Sequence, residues 1–316
     1  MTFDLTDPIF TDEDKAREHF EALHWPHGPV CPHCGATSEH VTLMAGKTTR
    51  PGLYQCNACR EPFTVKMGTV MESCHISYRK WAIGFHIMAA SKKGMAAHQL
   101  HRMLGVTYKT AWFMAHRIRE AMRPVDDTPI GGEGKTVEAD ETYIGGKEGN
   151  KHASKRTARG GAVGKEAVLS LVERGGKVRS YHLPEVTAAT LKPILVAQVN
   201  HASFLMTDEA RRYIEIGMQF AGHEAVAHSM GEYVRGEAHT NTVENYYSIL
   251  KRGIHGCYFH VSQQHLKRYL TEFDFRYNER IALGVSDQQR AAKAIKGAVG
   301  RRLTYRQPRG AQQATA

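Results

Sequence analysis

The sequence predicts an α/β protein, with a mixed sheet and flanking helices in its second half, preceded by a small cysteine-bearing module and a helical region. Three features carry that expectation. Two CxxC pairs stand near the N-terminus, residues 77 to 123 keep helical periodicity throughout, and from residue 135 the pattern turns to strands interleaved with helices. With 316 residues, 41% of them hydrophobic, the chain has room for one large domain plus small ones and enough apolar matter for a real core.

Composition narrows the function classes. Forty-two Lys and Arg against 32 Asp and Glu give a formal charge of +10, which favours a polyanionic partner. No apolar run approaches the roughly 18 residues of a membrane span. The opening MTFDLTDPIFTDEDK is acidic and lacks the basic and apolar regions of a signal peptide, so a cytoplasmic protein without a membrane partner is expected.

Residues 11 to 25, TDEDKAREHFEALHW, read as a short helix with Phe20 and Leu23 inward, ended by Pro26, Gly28 and Pro29. Cys31-Pro-His-Cys34 and Cys56-Asn-Ala-Cys59 follow, with 21 residues between the pairs. In a cytosolic chain this arrangement points to one structural Zn²⁺ held tetrahedrally by four thiolates, a zinc ribbon, rather than to disulfides. The metal would fold a segment too small to bury its own core. Cys74 and Cys257 stand apart.

The helical stretch opens with SYRKWAIGFHIMAASKKG, which places Trp81, Phe85 and Met88 on one face. MAAHQLHRMLGV and TYKTAWFMAHRIREAM then give a helix, a turn at Leu104-Gly105-Val106 and a second helix, the outline of a helix-turn-helix. Ala111, Met114, Ala115, Ile118 and Met122 supply its buried stripe, leaving Tyr108, Lys109, Arg117 and Arg119 for solvent or a DNA groove. A linker from Pro124 to Gly134 ends the region. The expected division is 1–75 for the N-terminal helix and ribbon, 76–130 for the helix-turn-helix, 131–300 for the α/β domain and 301–316 for a disordered tail.

Beyond the linker, KTVEADETYIGG alternates as a strand, with Val137, Ala139 and Thr142 opposite Glu138, Asp140 and Glu141. EAVLSLVERGGKVRSYHLP is a hairpin joined at Gly175-Gly176, TAATLKPILVAQV an amphipathic helix containing Pro193, and ASFLMTDEA a strand ending in Thr207-Asp208. HTNTVENYYSILKRG is a helix whose apolar stripe is Val243, Tyr246, Tyr247 and Leu250, with Glu244, Ser248 and Lys251 sharing a polar face. Asn241 and Glu244 also have capping-box spacing, which would give Glu244 a purely local role. LKRYLTEFDFRYNER closes the core. This element order is similar to that of a ribonuclease H-like α/β domain. Between the first two strands Lys147, Lys151, Lys155, Arg156, Arg159 and Lys165 form either a solvated loop or a phosphate-contacting flap.

Three carboxylates from separate elements then stand out: Asp140, Asp208 and Glu244, the last two separated by 35 residues. Converging hard oxygen ligands suit two Mg²⁺ (or Mn²⁺) ions, which about 3.5–4 Å apart clamp the attacking and leaving oxygens of a phosphodiester. Glu141, Glu209 and Asp274 read as structural.

In CPHC and CNAC, YQCNACREPFTVKMGTVM, VEADETYIGGK, TDEA, HTNTVENYYSILKRGIHGCYFH and LKRYLTEFDFRYNER the chain resembles the insertion-sequence DDE transposases of the ISXO-type branch that carries an N-terminal zinc ribbon. These motifs span most of residues 25 to 280. The resemblance implies that Asp140, Asp208 and Glu244 bind catalytic metal, with Asn245 the alternative third ligand, and that Lys251 contacts transposon-end DNA. Arg252 beside it, Lys109, Arg117 and Arg119 of the helix-turn-helix, and Lys155 and Arg156 of the basic loop complete the expected DNA contacts. The implied reaction is hydrolysis at each element end and attack of the freed 3′-OH on target double-stranded DNA, by a homo-oligomer assembled on nucleoid DNA. Two other readings fit the residues: a ribonuclease H-like nuclease that cuts without joining, and a domesticated zinc-ribbon and helix-turn-helix regulator without catalysis. Retention of all three acids argues against the regulator.

Overall fold

The computed structural model describes residues 5–146, 148–150, 152–156, 162–208, 211–226 and 239–304. They fall into two compact units, one from Met1–Ser91, Met95–Arg123 and Val285–Ala316, the other from Lys92–Gly94 and Pro124–Gly284.

In the first unit Asp7 and Asp12 cap α1 (Pro8–Thr11) and α2 (Glu13–His24) by accepting the Ile9 and Lys15 amides. Phe20 of α2 is buried as its spacing predicts. The ribbon is a three-stranded antiparallel sheet of β1 (Val41–Leu43), β2 (Tyr54–Cys56) and β3 (Pro62–Phe63). Its core amounts to Cys31, Cys56 and Phe63, with Trp25 edge-on to Tyr54 and Phe63, too little apolar matter to stand without a cross-link. α3 (Tyr78–Ala90) buries Trp81, Phe85 and Met88 completely.

α4 (Ala97–Leu104) and α5 (Tyr108–Ala121) are joined at Gly105, whose φ of 57° ends α4 in a left-handed cap that favours glycine. Thr107 caps α5 by accepting the Thr110 amide, and all five residues of the expected stripe are buried. Arg117 and Arg119 depart from expectation. They are only 8% and 2% exposed, so neither lies open to a DNA groove. For Arg117 the reason is that other segments of the unit cover this side of α5. Its Nη1 donates to Glu72 O at 3.0 Å, its Nε to Leu303 O at 3.3 Å, and its guanidinium lies 4.7 Å over the Phe113 ring.

The second unit runs β4 (Thr136–Ile144), β5 (Glu166–Glu173), β6 (Val178–Leu183), α6 (Ala188–Gln198), β7 (Phe204–Asp208), α7 (Ile214–Gly217), β8 (Gly222–Val226), α8 (Asn241–Gly253) and α9 (Gln263–Asn278). The sheet order is β6-β5-β4-β7-β8, with β4, β5 and β6 antiparallel and β4, β7 and β8 parallel. That mixed sheet with helices on both faces is the ribonuclease H-like fold.

Alternation along the strands builds two cores. Val137, Ala139, Leu169 and Leu171 pack with Leu191 and Leu195 of α6 and Tyr213 and Ile216 around α7. Ile144, Val168 and Val172 pack with Val243, Tyr246 and Leu250 of α8 and Leu266 and Phe273 of α9. The strict two-residue period corrects one detail of the sequence expectation. Glu141 belongs to the Val137 and Ala139 face, and Thr142 to that of Glu138 and Asp140.

The chain ends by returning to the first unit. A capping box at Ser286 and Gln289 starts α10 (Asp287–Lys296), which packs on α2, α3 and α5. Residues 285–300 therefore group with the N-terminal elements, not with the α/β domain to which 131–300 was assigned. Arg301 donates to the carbonyls of Glu120, Ala121 and Arg123, so the segment through 304 is packed rather than a loose tail. Residues 305–316 lie outside the described residues. Among the described residues no helix is long and apolar enough to cross a membrane.

Candidate active site

The junction of the two halves of the sheet positions the acids. β4 and β7 run parallel in register through Glu138 and Met206, and two residues further along each strand stand Asp140 and Asp208. Their carboxylates, with that of Glu141, bring oxygens within 4.8 Å of one another. α8 crosses the same face of the sheet as Asp140. Its Tyr247 hydroxyl donates to Asp140 O, which pins the helix at the level of the acids. Glu244, one turn before Tyr247, lies outside the group of three, yet its charge acts on Asp140. Both Glu244 and Asn245 are exposed.

Burial pushes the Asp140 carboxyl up to about 7. The Glu141 amide, donating to Oδ1 at 2.7 Å, opposes the rise, while the charges of Glu141, Asp208 and Glu244 add to it. Glu141 is also raised by burial, but Arg212 holds it in an ion pair, Nε to Oε1 at 3.2 Å. The donor set fits a divalent cation: hard oxygens, close together, in surroundings where unneutralised negative charge is costly.

Glu138, absent from the acids expected at the site, fixes the start of α8. It is fully buried. Its Oε2 accepts the amides of Thr242 at 2.8 Å and Val243 at 3.0 Å, and its Oε1 accepts the Thr242 hydroxyl at 2.8 Å. Arg174, from the β5–β6 turn, donates to the same Oε1 at 2.7 Å and to His239 O at 2.9 Å. An acid from β4 thus does the capping that a box within α8 would do. The box between Asn241 and Glu244 does not form, because the N-cap is Thr240 and Asn241 is already helical. Glu244 instead accepts the Thr240 hydroxyl at 3.3 Å. The signal for Glu138 was its two-residue offset from Asp140, which puts both acids on one face.

The other predicted residues fall as follows. Cys31, Cys34, Cys56 and Cys59 converge, with Sγ separations of 3.7 Å for Cys31 and Cys59 and 3.6 Å for Cys34 and Cys56. Four thiolates at about 2.3 Å from one zinc stand about 3.75 Å apart, so the cluster fits a closed tetrahedral zinc site. Lys251 and Arg252 are exposed on the last turns of α8, the Lys251 ammonium 5.9 Å from the Tyr247 ring centroid. Lys109 is exposed at the start of α5. Arg156 is exposed and donates to Gly149 O at 2.7 Å. The Lys155 side chain lies outside the described residues, as do Lys147, Lys151, Arg159 and Glu209. Asp274, read as structural, is half-buried and accepts the Ser180 amide and hydroxyl at 2.8 and 2.7 Å and the Tyr246 hydroxyl.

Comparison with known proteins agrees with this architecture. A family model described as an ISXO2-like transposase domain matches residues 129–278, and one described as a transposase zinc-ribbon domain matches residues 11–61. The chain is 29% identical over 280 residues to an uncharacterised protein in transposable element ISH50 of Halobacterium salinarum, covering 84% of this chain and 91% of that protein. It is 28% identical over 102 residues to a transposase-like protein of Haemophilus influenzae, covering 32% of this chain and 81% of that protein. A crystal structure of a pre-cleavage Mos1 transpososome aligns at 12% identity with a TM-score of 0.29, over 68% of this chain and 74% of that one, too loose a superposition to carry an argument. The chain thus carries an ISXO2-like transposase domain over residues 129–278 and, ahead of it, a transposase zinc-ribbon domain over residues 11–61.

Proposed function

We propose that this transposase cleaves DNA at the ends of its insertion sequence and joins the freed 3′-OH to target DNA, with Asp140, Asp208 and Glu244 as the acids that hold divalent metal. The observation that supports this reading is the pair of aspartates at matching positions on adjacent parallel strands, one of them with a carboxyl raised by burial and by neighbouring charge. Mg²⁺ or Mn²⁺, when bound, would supply Lewis-acid activation of water and of the 3′-OH and would neutralise charge on the phosphodiester.

The chain's own part is positional. Glu138 and Tyr247 hold α8 against β4, which keeps Glu244 facing the aspartates. Lys251 and Arg252 extend from the same helix toward DNA phosphates, and Arg156 and Lys155 contribute from the loop after β4. Lys109 serves end recognition from α5, whereas Arg117 and Arg119 stiffen that helix from within. The zinc ribbon folds around its ion and adds surface for DNA or protein.

A strand-transfer assay with precleaved element ends and Mg²⁺ tests the reading. Asp140→Asn and Asp208→Asn should abolish both cleavage and joining while leaving end binding intact. Cleavage without joining by the wild-type protein would identify a nuclease, and unchanged catalysis in Asp140→Asn would sink the metal-site assignment.

A further inference from the structure

Immediately after α8 and a single π-helical turn, Ile254–Tyr258, the chain makes a turn of unusual cost. Phe259 has φ 59° and ψ −45°, and the His260 amide closes back on Tyr258 O at 2.6 Å, a γ-turn whose central residue has positive φ. That backbone is rare for any L side chain and persists only where the surroundings impose it. They do so through Tyr258. Its hydroxyl donates to the buried Glu272 at 2.6 Å, and its ring stands edge-on to Tyr269 and Phe273. Arg276 in turn pairs with Glu272. With Tyr258 held inward and the turn closed behind it, Phe259 is driven out and is 79% exposed, among the most exposed large apolar residues described.

The surroundings say what such a ring would meet. Lys251, Arg252 and His255 are exposed on the helix leading into the turn, and His260 follows it. Lys92 and Lys93 are exposed on the short segment packed against the end of α8, where a Cβ added to Gly253 would come within 2.6 Å of Lys93 O. An exposed aromatic ring in a stretch that carries exposed Lys and Arg fits an unstacked nucleobase whose phosphates those side chains hold, because every base offers a π-face. An apolar protein surface would instead be expected to meet an apolar patch.

We propose that Phe259 is a stacking residue for an unpaired base at the DNA end. This inference rests on the transposase reading and deepens it. The test uses the full-length protein and a forked DNA duplex with 2-aminopurine at the first unpaired position, at fixed salt because phosphate contacts make affinity salt-dependent. Wild-type binding should change the 2-aminopurine fluorescence. Phe259→Ala should lose that change and bind the fork roughly five-fold or more weakly, in keeping with ~1–3 kcal/mol per stacked base, while Phe259→Trp should retain both. Because Phe259 touches solvent rather than the core, these variants should fold. Equal fluorescence change and affinity in Phe259→Ala would overturn the proposal. So would loss of self-association in sedimentation with fork binding unaltered, which would make the occupant a protein surface. Failure of the wild-type protein to bind any duplex would instead strike at the transposase reading itself.

Discussion

Glu138 and Asp140 share one face of β4, and their surroundings treat negative charge in opposite ways. Glu138 is met by a guanidinium, two helix-start amides and a hydroxyl. Asp140 is met by burial and three other acids, offset by one amide. Removing the first should therefore damage structure and removing the second should damage chemistry. Glu138→Ala takes the carboxylate from Arg174 and leaves the amides at the start of α8 uncapped, and should cost about 3 kcal/mol or more in denaturant unfolding. Asp274 gives the pH dependence. Burial pushes it up to about 6 from an ordinary 3.8 despite the donors it accepts. A raised carboxyl stabilises the fold fully below the unfolded value and loses that contribution as pH rises through the folded one. The stability of wild type minus that of Asp274→Asn should thus fall by about 2 kcal/mol between pH 4 and pH 7. A flat difference would show that its donors keep this carboxylate ionised. Asp140 and Asp208 could be picked out in the sequence as acids on separate candidate strands, and their carboxylates do come together, joined by that of Glu141 rather than of Glu244. Glu138 could not, because its partners come from a hairpin turn and a helix remote in the chain, and only folding brings them to it.

At the scale of elements, legibility followed the strength of the apolar period. α3, α5, β4 and the β5–β6 hairpin were readable because large apolar residues recur at 3.6 or 2. β8 was not: its sequence is Gly-His-Glu-Ala-Val at the sheet edge, where only Val226 is fully buried. α10 offered a capping box in plain view, Ser286 to Gln289, but its face is mostly Ala, Gln and Lys, with Ile295 its one large apolar residue. Arg117 and Arg119 failed differently, since a charged residue on a helix says nothing of whether another segment will cover it. The ribbon was legible from cysteine spacing alone, and metal removal should be correspondingly decisive. Chelation should expose Cys31, Cys34, Cys56 and Cys59 to thiol reagents and open residues 25 to 63 to proteases. Reagent titration before and after chelation checks this, and no gain in reactive thiols would argue against zinc.

For the whole molecule, the division into units cuts across chain order. The acid-bearing unit lies between two stretches of the other, which owes α10 and the contacts of Leu303 and Arg301 to the last part of the chain. Truncation after Gly284 should therefore destabilise the ribbon and helix-turn-helix unit and leave the mixed sheet intact. Differential scanning calorimetry or hydrogen exchange resolved by segment would show it. Protection lost in residues 136–208 instead would contradict the division.

That return has a consequence for synthesis. A ribosome releases the chain from its N-terminus, so α2, α3 and α5 emerge well before α10, the helix that packs on all three. The mixed sheet has all its residues by Gly284, before α10 exists. Newborn chains should mature in the reverse of reading order, the sheet closing while α3 still awaits the helix that packs on it. A chain released only through Gly284 would carry every residue of the acid-bearing sheet while the unit that includes α2, α3 and α5 still lacked α10.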